Sequence, residues 1–281
     1  MKIKNLRVRK NGLSYLLFAS IPPVLNVIFG LFFVIQFEMG AAGKMLGQVT
    51  TNTLVGIISI FVLRRYITLN IDFSFLRKSF RYILPIIGAS FAYYPIRNID
   101  KIYLERLNDI SELGYYSIGF MAANFINVAS FALFIAFEPD VYKYVAKNQF
   151  LKVRKIGLLF MSIVLVFVIV FISISPYLLE FLTSGRYTRA YKYANINAIG
   201  VVFFQLFGFF NAILIALKRT DFALYINIIG GISAIVLYKL LINTFSFYGS
   251  NYAYILVAII MCISAIFFFL YYKRLHKEDF I

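Results

Sequence analysis

The chain is poor in the residues that most soluble enzymes use for chemistry. Its 281 residues include one cysteine, Cys262, one histidine, His276, and no tryptophan, and 12 are acidic. A single cysteine excludes an internal disulfide and a cysteine-rich zinc site, and a single histidine leaves no His pair to ligate a metal. There is no Ser–His pairing and no aspartate-rich motif of the prenyl-transfer kind. Charged residues make up 14%, where an ordinary globular domain has about 25%. Apolar residues take their place, at 62% of the chain with 32 Phe, 21 Tyr and a mean hydropathy of +0.82. A water-soluble fold of this size could not hide that much apolar side chain, because much of any folded surface stays exposed. The composition is that of an integral membrane protein.

A hydrocarbon core of about 30 Å needs roughly 20 apolar residues in a helix. Runs of that kind fall at 13–36, 46–63, 82–98, 113–137, 156–180, 194–217, 222–242 and 251–272, which predicts an all-α protein with eight transmembrane helices. The runs are continuous, unlike the ten-residue alternating segments of membrane strands. The run 13–36 is too long for the apolar region of a signal peptide and is read as a retained first helix. The span 46–63 is the most polar, opening with Gly47, Gln48, Thr50, Thr51, Asn52 and Thr53, and its side chains are better placed against other helices than against lipid.

Charge placement gives the orientation. With the N-terminus in the cytoplasm, 20 of the 28 Lys and Arg lie in inside connections and 8 outside, while the 12 acids divide evenly. That asymmetry is the positive-inside pattern, with both termini cytoplasmic. It also accounts for the net charge of +16 without nucleic acid. The inside connection 138–155 is basic and aromatic and suits an anionic inner leaflet or a solvated helix end.

Four features carry possible chemistry. At the outer end of the third span, Arg97 stands three and four residues from Asp100 and Lys101, and Lys101 four from Glu105; such spacing forms either helix-end ion pairs or an anion site beside Pro95. Amides lie inside spans, with Asn124 and Asn127 on one helix face and Asn195, Asn197, Gln205, Asn211 and Asn227 beyond them. In lipid they must face the bundle, where they join helices or line a sugar-accessible path. Glu138-Pro139-Asp140 closes the fourth span, where Pro139 should stop or kink the helix. Outside, Arg186, Arg189 and Lys192 interleave with Tyr187, Tyr191 and Tyr193, a mixture suited to pyrophosphate and sugar or to interface anchoring. Gly43-Lys44 lacks the first glycine and the Ser/Thr of a phosphate loop, and Gly43 with Gly47 forms a GxxxG suited to close helix packing.

Leu84-Pro85-Ile86-Ile87, Asn98-Ile99-Asp100-Lys101-Ile102-Tyr103-Leu104, Leu113-Gly114-Tyr115-Tyr116-Ser117-Ile118-Gly119 and Phe137-Glu138-Pro139 followed by Tyr142 occur in that order. In this the chain resembles the bacterial oligosaccharide-lipid flippases, exporters of O-antigen and capsule repeat units and relatives of the multidrug and toxin extrusion transporters. Lys101 stands where that family more often has Arg. The motif stretch covers roughly 80–145, and the helix spacing continues to 272.

The resemblance implies a two-lobe transporter fold of which this chain is the C-terminal two-thirds. Residues 1–66 would be two helices ending the first lobe, 67–81 a cytoplasmic linker and 82–281 a six-helix second lobe. About four N-terminal helices of the family would then come from a longer chain, from a second polypeptide or from further copies of this one. The function implied is movement of a polyprenyl-diphosphate-linked oligosaccharide across the bacterial inner membrane, without a cofactor, metal or catalysed reaction. Arg97 and Lys101 would hold the diphosphate with Asp100 orienting them, Arg186 and Arg189 would also lie on the substrate path, and Asn124 and Asn127 would meet the sugars.

Three other readings compete with the flippase. A polysaccharide polymerase is suggested by the Arg-x10-Gly spacing of Arg189 and Gly200, but about one such pair is expected by chance among 16 Gly and the chain's arginines. A cation-coupled drug antiporter needs a membrane-embedded acid, and Glu138, Asp140 and Glu180 lie at span ends. The last is an inactive remnant of a transporter.

Overall fold

A peptide backbone crossing lipid must satisfy its own hydrogen bonds, and every long described segment does so as a helix. The computed structural model describes residues 12–64 and 73–275. We number the helices α1 (Gly12–Gln36), α2 (Gly40–Leu63), α3 (Phe73–Glu105), α4 (Ile110–Ala146), α5 (Phe150–Leu182), α6 (Tyr191–Ala216) and α7 (Thr220–Leu275), with a short 3-10 turn at Thr188–Ala190 before α6. By length and composition α4, α5, residues 188–216 and α7 can each cross a membrane, and Ile21–Gln36 is a shorter apolar helix.

The last helix is a hairpin. Ser246, at φ 54° and ψ −135°, interrupts it. The two arms then run antiparallel: Phe222 stacks on Phe268 with centroids 4.9 Å apart, and Gly230 faces Met261. Near the bend, Gly249 lies so close to the Leu241 carbonyl that no Cβ would fit. All eight apolar runs of the sequence therefore lie in helical segments among the described residues.

The chain divides into two compact units, Met1–Phe73 and Ser74–Ile281. In the first, α1 and α2 form an antiparallel pair closed by the GxxxG. A Cβ on Gly47 would come within 2.5 Å of the Gly30 nitrogen, so the two backbones touch there. Thr51, 2% exposed, donates its hydroxyl to the Gly47 carbonyl at 2.8 Å, which shows how this polar helix satisfies its own side chains.

In the second unit α6 is the central helix, with thirteen buried residues from Tyr193 to Leu214. It packs on α4 through Tyr193 and Tyr116, on α5 through Phe209 and Phe160, and on the second arm of α7 through Phe204 and Tyr254. The outward faces of α4 and α5 are apolar and exposed, as at Phe125, Phe131, Val166 and Ile169. A contiguous surface of that kind is built for lipid rather than water.

Three helix boundaries differ from the sequence reading. The charges at 97–106 mark the end of the third apolar run at 98, yet α3 continues to Glu105. Of the stop or kink expected at Pro139, the stop does not occur, since α4 runs through it to Ala146. Consequently the connection 138–155 is mostly helix, with only 147–149 between α4 and α5. Residues 67–72 of the inter-lobe linker, and 65–66 before it, lie outside the described residues.

Where the chain turns from α6 into α7, Arg219 clips the open end of the hairpin. Its guanidinium sits 3.9 Å over the Phe222 ring of the first arm and 5.7 Å from the Tyr272 ring of the second, and it pairs with Asp221 at 2.7 Å. That hydrogen bond holds the Asp221 carboxyl below the usual carboxylate range, outweighing the partial burial that raises it. The ion pair's contribution is complete above the usual range and is lost as pH falls through the lowered value. With the two side chains 33% and 42% exposed, solvent screening leaves it a few tenths of a kcal/mol. Arg219→Ala should therefore cost about 1 kcal/mol, mostly in ring contact, read as a lower melting temperature of the detergent-solubilised protein at pH 7.

Candidate functional site

Polar side chains in the second unit gather in two places near the C-terminal end of α3, one partly open, with Arg97 and Asn124 exposed, and one buried. The first is a cleft lined by Tyr93, Ile96 and Arg97 of α3, Phe120, Asn124 and Asn127 of α4, Phe204 of α6 and Tyr254 of α7. Its volume is about 30 Å³, room for water but not for a sugar. Asn124 and Asn127 occupy one face of α4 because they are three residues apart, and Asn127 donates to the Asn124 side-chain oxygen at 3.3 Å. Gln205 of α6 donates to the Asn127 oxygen at 2.8 Å, which makes a chain of three amides across two helices. The amides thus both join helices and line the cleft.

Arg97 completes this cleft. Its guanidinium is 6.0 Å from the centre of the Tyr93 ring, one turn back along α3, and makes no ion pair with Asp100 or Glu105. Arg97 reaches back toward Tyr93, while Asp100 faces Tyr116 of α4. The five N–H donors of Arg97 meet no carboxylate among the described residues.

The second place is the buried carboxylate of Asp100, 2% exposed. Tyr116 of α4 donates its hydroxyl to Asp100 Oδ2 at 2.8 Å, and the same hydroxyl lies 2.9 Å from Ser250 Oγ in the second arm of α7. Asn251 beside it donates to the Tyr193 carbonyl of α6 at 3.1 Å, and Tyr193 in turn donates its hydroxyl to the Glu112 carboxylate at the start of α4. The group therefore joins α3, α4, α6 and α7. Asp100 Oδ1 and Asn251 Oδ1 have no hydrogen-bond partner, although both are buried. An open carboxylate oxygen in an apolar bundle is an acceptor for a proton or a cation. Among the described residues no three His, Cys, Asp or Glu side chains converge as a metal site would require.

The structure thus brings Arg97, Asn124 and Asn127 to one cleft and divides the Arg97–Asp100–Lys101 group that the spacing joins. Asp100 turns into the bundle, while Lys101 is exposed on the outer face of α3. Arg186 and Arg189 are also exposed, on the connection before α6, and stand apart from the cleft lining. Tyr187 of that connection packs edge-on to Tyr115, and Tyr193 is buried. Sequence reasoning missed Tyr116 as the partner of Asp100, and Ser250 and Asn251 as the residues that extend the network into α7. Tyr116 was visible within the Gly114-Tyr115-Tyr116-Ser117 motif, but nothing in the motif says which tyrosine faces the bundle.

The helical fold is similar to that of transporters of the multidrug and toxin extrusion class. The structure is similar to the Vibrio cholerae MATE transporter VcmN in a mutant form, with a TM-score of 0.65 and 16% identity over 98% of this chain and 66% of that one. It matches a second MATE transporter mutant with a TM-score of 0.71 and 13% identity, over 98% of this chain and 64% of that one. The bent form of VcmN gives a TM-score of 0.64 and 17% identity, over 98% and 65%. The chain therefore spans slightly less than two-thirds of the length of these transporters. No curated protein is significantly similar in sequence. The MatE family model matches residues 85–239, more than half of the sequence, and the chain belongs to the MatE family.

Proposed function

We propose that the chain is the larger part of a transporter that moves polyprenyl-diphosphate-linked oligosaccharides across the bacterial inner membrane, both ends lying in the cytoplasm. The remaining helices would come from a longer chain, a second polypeptide or another copy, because alternating access needs two parts that move about a shared site. The observation that carries this reading is Arg97, an arginine without a carboxylate partner beside a chain of amides and the tyrosines 93 and 254. Arginine matches phosphate oxygens in pairs, and amides and tyrosines match sugar hydroxyls. The cleft is too small for the substrate, so these groups would engage it only when the bundle opens. Lys101, Arg186 and Arg189, exposed toward the same end, would receive the diphosphate as it leaves.

A second reading, a cation-coupled antiporter of small molecules, is favoured by Asp100. The sequence offered only span-end acids for coupling, whereas this carboxylate is buried with one oxygen open.

The test is expression in a strain lacking its oligosaccharide-lipid flippase but making the matched sugar, scored by surface polysaccharide. Wild type should restore export, alone or with the missing helices. Arg97→Ala should reduce it about tenfold or more with membrane protein unchanged, since a charge-assisted hydrogen bond is worth about 1.5–3 kcal/mol. Arg97→Lys should fall between, because an ammonium keeps charge but not the fork. Unchanged export in Arg97→Ala would remove the residue from the substrate path.

A further inference from the structure

A second cavity, unrelated to the Arg97 cleft, opens where the start of α5 meets α6 and the end of α7. Its volume is about 820 Å³, within the range of sites that hold small organic molecules. The wall is apolar, built chiefly from Met161 of α5, Phe209, Phe210 and Ile213 of α6 and Phe269 of α7. Gly157 of α5 faces the Phe209 ring, which keeps this wall close to the helix. The rim is basic: Lys152, Arg154 and Lys273 line it, and no carboxylate does. From Lys152 to Met161 the groove follows α5 for about 13 Å, so an apolar trough runs inward from a cationic mouth.

Two further observations bear on what fits. Five cations, Lys143, Lys147, Lys152, Arg154 and Lys155, fall within thirteen residues at this end of the bundle, which the charge asymmetry assigns to the cytoplasm. Juxtamembrane clusters of that size attract anionic headgroups. Lys152 is also positioned, its ammonium 5.2 Å from the centre of the Tyr144 ring of α4. A molecule with an anionic head and an apolar chain matches the groove in charge, length and polarity.

We propose that this groove is a binding site for an anionic glycerophospholipid of the inner leaflet, its phosphate at Lys152 and Arg154 and an acyl chain against Phe209, Phe210 and Phe269. The lipid would fill the space between α5, α6 and the second arm of α7 and hold them together.

The test uses the full chain in phosphatidylcholine nanodiscs, titrated with phosphatidylglycerol and read by native mass spectrometry. Wild type should retain one phosphatidylglycerol in preference to phosphatidylcholine. Each cation near an anionic surface is worth about 1 kcal/mol, so Lys152→Gln with Arg154→Gln should weaken that preference about 30-fold. Lys143→Gln with Lys147→Gln removes the same charge from the same segment outside the groove, and should leave the preference nearly intact. No preference in wild type, or equal loss in both double variants, would overturn the proposal, the latter because it would show diffuse surface attraction. A phosphatidylglycerol carrying a photoreactive acyl chain gives a readout that needs no variant. Cross-links should map to Met161 and 206–213; cross-links confined to the outward residues Leu165 and Ile169 would also overturn it.

Discussion

Gly231→Val is expected to destabilise the second unit by about 3 kcal/mol or more, a large share of the stability of any domain. A Cβ at Gly231 would overlap the Ala92 carbonyl oxygen of α3. The obstacle is backbone, which cannot swing aside as a side chain can, so the first arm of α7 would have to move off α3. Overpacking commonly costs about 1–3 kcal/mol, and a backbone obstacle places this substitution at or beyond the upper end. The neighbouring Gly230 faces Met261 and Ile96 instead, so the pair of glycines lets one helix lie against α3 on one side and its own second arm on the other. Gly208 provides the control. It sits in α6 with nothing within 4 Å of where an alanine methyl would stand, so Gly208→Ala should stabilise by about 0.5–1 kcal/mol through helix propensity alone. Fluorescence-detected size exclusion after graded heating would measure both. Equal behaviour of the two variants would mean that α3 and α7 are not in backbone contact.

The positions of the helices were legible because a bilayer imposes one length scale, and an apolar run of that length has few other uses. The ends were less legible. Hydropathy stops where charges begin, but a helix stops only where its hydrogen bonds do, and α3 therefore carries Asp100 a full turn before its end at Glu105. Pro139 shows the same limit from the other side: proline removes one donor, and α4 continues past it to Ala146. At the site, periodicity placed Asn124 and Asn127 on one face, where they meet. It grouped Arg97, Asp100 and Lys101 as well, because three- and four-residue spacing says which residues share a helix face but not where long side chains reach. The partner of Asp100 is Tyr116 of α4, 16 residues away, and that tyrosine in turn meets Ser250 in the far arm of α7, 134 residues further on; no local pattern announces either.

Asp100→Asn should leave the protein folded to within about 1 kcal/mol yet reduce coupled transport tenfold or more. The amide has the same shape, and its oxygen can still accept from Tyr116, so the contact across α3 and α4 survives. What disappears is the negative charge and the open oxygen, the two properties a migrating proton or cation would use. Tyr116→Phe makes the complementary change. It removes the side-chain donor to Asp100 and the link to Ser250, leaving a buried carboxylate short of its strongest hydrogen bond, which should cost about 1–3 kcal/mol. A purely structural role for the carboxylate predicts a different pair of results: transport in Asp100→Asn would stay near wild type, and its dependence on pH and sodium would not change. Measured in the same vesicles, Arg97→Ala and Asp100→Asn separate the two functional readings. Loss only with Arg97→Ala points to an anionic cargo held by the arginine, without coupling through Asp100. Loss only with Asp100→Asn, together with an altered ion dependence, points to cation coupling with a cargo that does not use the arginine. Loss with both is expected if an anionic substrate and a coupling ion share this half of the transporter, the arginine meeting the first at the cleft and the carboxylate the second within the bundle.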